Sequence, residues 1–175
     1  MTERRFRASP VRVTLAVLLR TLLNSSVPLM LNVGAAAPEV TPKKDAFNVL
    51  YGTIPMMWAG RGGSWPNQRE VFVRSYRNTC KLHEALAGKE MLSHEFLTAD
   101  RAAQRTRFSD GTVVVVNFGE KPYAAKVGGK TYLLPQNGFA AKGPRIEQSL
   151  ALEGGKAVTR IRAGRYQYAD AGSAR

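Results

Sequence analysis

The chain has 175 residues, with 26 Lys and Arg against 13 Asp and Glu, a net charge of +13 and one cysteine. That length admits one domain with a sizeable core, or a small domain beside part of another, but it excludes a complete (β/α)8 barrel, which needs about 250 residues. The single Cys80 excludes an intramolecular disulfide framework and a cysteine-based zinc site, and His83 and His94 make no metal-ligand spacing with each other or with it. No metal and no cofactor is therefore expected. The positive charge favours a polyanionic partner, yet beyond the first twenty residues Lys and Arg mostly sit singly among apolar and acidic positions, the pattern of a solvated surface.

In chain order, Arg4, Arg5, Arg7 and Arg12 precede an apolar stretch from Val13 to Leu19, and Ala35–Ala37 offers small residues for cleavage. The arrangement resembles an export signal, which would place the protein outside the cytoplasm, secreted or in the cell envelope. Arg20 and Pro38 depart from that pattern. Asn24, Ser25, Ser26, Pro28 and Asn32 make residues 21–38 too polar for a membrane span. Residues 1–44 thus read as a signal-like or unstructured segment ending in a linker with Pro38, Pro42, Lys43 and Lys44.

Asp45 to Tyr51 is a short apolar element, followed by a Gly- and Pro-rich loop from Gly52 to Pro66. Asn67 is placed to cap a helix running to Leu86 and stopped by Gly88. Its inward face is expected to carry Val71, Phe72, Ser75, Tyr76, Thr79, Leu82, His83 and Leu86, leaving Arg69, Glu70, Arg74, Arg77, Asn78 and Lys81 on the other side. Cys80 is expected to be buried on this helix.

From residue 90 the pattern turns to strands. Met91–Phe96 is followed by Gln104–Phe108, the turn Ser109-Asp110-Gly111, and the β-branched run Thr112–Val116. Val113 and Val115 should face one side of the sheet, Val114 and Val116 the other. Asn117-Phe118-Gly119 breaks the run. A second hairpin pairs Ala125–Val127 with Thr131–Leu134 across Gly128-Gly129, and Pro135 and Gly138 close it. Arg145–Leu152, Ala157–Ala163 and Arg165–Tyr168 supply three further strands, with Gly154-Gly155-Lys156 as the turn between the first two.

The phrase from Phe108 to Gly119, with Lys121-Pro122-Tyr123 and Tyr132–Phe139 after it, resembles the C-terminal β-domain of large bacterial glycoside hydrolases related to families 101 and 129, which act on α-linked N-acetylgalactosamine. Phe47–Pro55 is similar to the segment entering the last part of their catalytic barrel. Arg74–Asn78 and His94–Arg101 extend the likeness, which spans 44–168. The resemblance implies an α+β chain, mainly an antiparallel β-sandwich, preceded by one long amphipathic helix from an incomplete (β/α) barrel. Residues 45–88 would be the last strand-loop-helix unit of that barrel, 90–168 the β-sandwich and 169–175 a tail.

Retaining glycosidases need two carboxylates about 5–5.5 Å apart. In the related enzymes such residues precede the part this chain resembles, so no residue inherits a catalytic role and the chain alone is expected to be inactive. Glu90, Glu95, Asp100, Asp110 and Glu120 read as turn, loop and strand carboxylates. Tyr51, Trp58 and Trp65, with Arg61, border the Gly-rich loop, where flat rings can stack on a sugar. The expected partners are carbohydrate, bound weakly, and the remainder of a barrel, with no stable membrane span. The alternatives are a basic polyanion-binding module, whose nucleic-acid affinity would fall with salt, and a stand-alone carbohydrate-binding β-sandwich.

Overall fold

The computed structural model describes residues 41–53 and 65–171, save the side chains of Trp65 and Asn67, together with the backbone of 34–35 and 57–58. The last two stretches form a two-residue parallel bridge, Gly34 with Met57 and Ala35 with Trp58. The signal-like segment lies outside the described residues.

Helix α1 spans Thr41–Tyr51 and α2 spans Trp65–Leu86. The strand expected over Asp45–Tyr51 is thus corrected to a helix, and Pro42 and the paired lysines assigned to a linker form its first turn. The strand was what the resemblance to the end of a barrel implied. Ala46, Val49 and Leu50, all fully buried, repeat at helical spacing instead. Proline is well tolerated in a first helical turn, where its missing N–H has no intrahelical partner. The same holds for Pro66, so α2 starts two residues before the expected cap.

The strands are β1 (Met91–Phe96), β2 (Ala103–Phe108), β3 (Val113–Asn117), β4 (Tyr123–Val127), β5 (Lys130–Leu134), β6 (Phe139–Lys142), β7 (Glu147–Glu153), β8 (Lys156–Ala163) and β9 (Tyr166–Asp170). Seven of them form one antiparallel sheet in the order β9-β8-β7-β6-β3-β2-β1, and β4-β5 form a second, two-stranded sheet. The α+β class with two antiparallel sheets is as expected. Residue pairs Arg107↔Val113 and Gln104↔Val116 fix the expected β2–β3 hairpin. Gly128 and Gly129, at φ 57° and 82°, make the β4–β5 turn that only a residue without a Cβ enters at little cost.

Each face of the large sheet has its own core. On one side Val114, Val116, Phe108, Phe139 and Ile161 pack with Ala46, Val49 and Leu50 of α1 and Leu82, Ala85 and Leu86 of α2. On the other, Val115, Ala140 and Ala151 meet Ala125, Val127 and Leu134 of the β4–β5 sheet. The valines divide between the faces as their alternation requires.

Helix α2 is rotated from its expected setting. Asn78 is buried and Tyr76 is 67% exposed, a reversal of the sequence reading. The cause is Asp45 on α1. Its carboxylate, 3% exposed, accepts hydrogen bonds from the Ser75 hydroxyl at 2.5 Å and the Asn78 amide at 3.2 Å. Gln148 of β7 donates in turn to the Asn78 carbonyl at 2.8 Å. Leu82 is fully enclosed, whereas Cys80 is half-buried.

Candidate functional site

Tyr51 ends α1, one turn after Phe47. This spacing stacks the two rings with centroids 6.3 Å apart and planes within 5°. Phe118, in the loop after β3, lies 4.5 Å from Phe47. On the other flank Tyr51 meets His94 of β1 at 5.5 Å, and His94 meets Phe96 edge-on at 5.0 Å. The Arg101 guanidinium lies 5.4 Å from the Phe96 centroid. These groups form one row, Phe118, Phe47, Tyr51, His94, Phe96, Arg101, from the loop after β3 across α1 to the edge strand. Period 2 places His94 and Phe96 on the same face as the helices.

The row is partly desolvated. Burial raises the Tyr51 phenol above its ordinary value and is the main force lowering His94 below its own, against the opposing hydrogen bond that His94 donates to Gln104. Gln104 donates through Nε2 to the Arg101 carbonyl at 3.0 Å, so its Oε1, 2.9 Å from His94 Nε2, is an acceptor. Nε2 therefore carries the proton in this contact, which leaves Nδ1 as the acceptor in the neutral imidazole that burial favours.

Glu95 does not converge with His94. It points to the opposite face and pairs with Arg105 at 2.6 Å. Asp110 Oδ1 accepts from the Thr112 amide at 2.9 Å and Asp100 Oδ1 from the Ala102 amide at 3.0 Å, which are turn-forming bonds. Glu90 and Glu120 are exposed. Among the described residues no group of three His, Cys, Asp or Glu is placed to hold a metal ion, and no helix is long and apolar enough to cross a membrane.

Of the expected sugar-binding residues, Tyr51 is in the row, while Arg61 and the side chains of Trp58 and Trp65 lie outside the described residues. Phe47, His94, Phe96 and Phe118 were not anticipated as ring neighbours. The i,i+4 spacing of Phe47 and Tyr51 was the signal available for the first; the others depend on tertiary packing.

The chain matches no family model, and no curated protein is detectably similar to it.

Proposed function

We propose that the chain is a non-catalytic portion of a glycoside hydrolase acting on α-linked N-acetylgalactosamine or a similar sugar, and that it touches saccharide through the Tyr51 row. The observation that carries this reading is the continuous run of rings from Phe47 to Phe96. Such rings present flat apolar faces to the C–H face of a pyranose, with polar groups at their margins for its hydroxyls. Phe96 is 42% exposed and carries the Arg101 guanidinium, so that end of the row combines an open ring with a donor. The phrasing shared with the β-domain of the glycosidases supports the same assignment.

Saturation-transfer NMR with methyl α-N-acetylgalactosaminide tests it. Weak binding is expected, insensitive to salt and reduced about tenfold in Phe96→Ala, in line with loss of a stacking ring. Tyr51→Ala should act in the same direction. Aryl α-N-acetylgalactosaminides should not be cleaved above the uncatalysed rate. Turnover abolished by Glu95→Gln or Asp100→Asn would make the chain itself the enzyme. Binding that vanishes as ionic strength rises, or that ignores both ring substitutions, would overturn the proposal.

A further inference from the structure

The β4–β5 sheet covers the middle of the large sheet and leaves its β7–β8–β9 end open on the same face. A groove of about 490 Å3 remains there, walled by Lys130 to Leu133 of β5. The register sets Glu147 and Ser149 of β7 opposite Arg162 and Arg160 of β8, with Gln167 of β9 opposite Arg162. These residues share the face of Ala151, which packs under the β4–β5 sheet, and lie opposite to Ile161, which packs towards the helices. The floor thus carries Arg160, Arg162 and Gln167 as exposed donors beside the Glu147 carboxylate, with Ser149 nearly covered.

The cations around it, Lys130, Lys142, Arg160 and Arg162, outnumber the carboxylates, Glu147 and Glu153, and one of them is unpaired among the described residues. Glu147 is the cross-strand neighbour of Arg162, but both its oxygens are already engaged. Oε1 accepts from Lys130 Nζ at 2.6 Å and from the Tyr132 hydroxyl at 3.1 Å, and Oε2 from Lys142 Nζ at 2.6 Å. Those two ammonium groups are the leading influences holding the Glu147 carboxyl down to about 2. Arg160 is satisfied separately by Glu153, through two bonds of 2.6 Å. Arg162 makes no side-chain hydrogen bond or ion pair among the described residues, although it stands beside the one carboxylate its register offers.

We propose that this groove binds a small saccharide bearing a carboxylate, with Arg162 taking the anion and Gln167 and the Tyr132 wall meeting the ring. The groove lies within the range of about 300–1,000 Å3 typical of small-molecule sites, larger than a bare inorganic oxyanion requires. Tyr132, half-buried, supplies an apolar wall, and its hydroxyl with the Gln167 amide suits a polyol. The site is on the opposite face of the sheet from the Tyr51 row and stands independently of it.

Amide-shift titration of the whole chain with galacturonate reads the site directly, with galactose and inorganic sulfate as controls. Galacturonate should shift amides of β7–β9. Because Arg162 is exposed, Arg162→Gln should leave the melting temperature unchanged, yet weaken galacturonate by about tenfold, as loss of a charge-assisted contact does. Gln167→Ala should weaken it less, and Phe96→Ala not at all. Equal responses to galactose and galacturonate would overturn the proposal. So would sulfate binding at the same amides as tightly as the sugar acid, or unchanged affinity in Arg162→Gln.

Discussion

Asp45 is held between two helices by one hydroxyl and one amide, with no cation in bonding contact. Burial dominates over those hydrogen bonds and over the Arg74 charge, and lifts its carboxyl from 3.8 to about 6. An acid whose folded value is raised contributes stability that is complete below the unfolded value and lost as pH rises through the folded one. The shift corresponds to a cost of about 3 kcal/mol at neutral pH, relative to acid, from this side chain. Asp45→Asn abolishes the titration while keeping an acceptor for Ser75. The variant's stability relative to the parent should therefore rise between pH 4 and pH 7, and denaturant melts across that window check it. A parallel pair of pH profiles would show that Asp45 does not titrate there. The seam around Asp45 was only partly legible in the sequence: spacing placed Ser75 inward, but Asn78 read as a helix-surface polar residue and Asp45 as the start of a strand. Only the approach of α1 assigns Asn78 to the inside, and that displaces Tyr76 outward.

Elements whose turns carry their own chemistry were legible, and elements defined by their neighbours were not. Ser109-Asp110-Gly111, Gly128-Gly129 and Gly154-Gly155 marked three hairpins, and the strands beside them were found to within about two residues, the usual scatter of element ends. Strand β6, Phe139–Lys142, was missed although it lies between β3 and β7. It has no β-branched residue, and its two alanines suggest no strand. They serve because both faces are buried: Ala140 beneath the β4–β5 sheet, Ala141 beneath the helices. The approach to β6 is equally tight. A Cβ on Gly138 would stand 2.5 Å from Cδ of Pro135 and 2.8 Å from the Leu150 carbonyl oxygen, neither able to move away freely. Gly138→Ala should thus destabilise by about 1–3 kcal/mol, the range of other overpacked sites. A thermal melt within error of the parent would contradict that placement of β6 against β7.

The described residues as a whole form a sheet with unlike covers, two helices on one face and a two-stranded ribbon on the other. The ribbon enters and leaves through one point: the Asn117 amide donates to the Gly138 carbonyl at 2.9 Å, and the Asn137 amide to the Asn117 carbonyl at 2.7 Å. The Asn117 side chain fastens the excursion, donating to the carbonyls of Lys121 and Leu134 at 2.9 and 3.0 Å and accepting from the Gly119 amide at 3.0 Å. Units with few connections open independently of the rest. Backbone amides of β4 and β5 should exchange with solvent faster than those of β3, β6 and β7, and Asn117→Ala should widen the gap. Uniform protection across both sheets would refute this. Because departure and return share one hydrogen-bonded step, the excursion is topologically an insertion, and the strand order of the large sheet does not depend on what is spliced there. The constraint comes from beneath it. A replacement that fails to roof Val115 and Ala140 leaves a flat apolar surface on an intact sheet, so a swapped or opened ribbon turns a folded chain into an adhesive one.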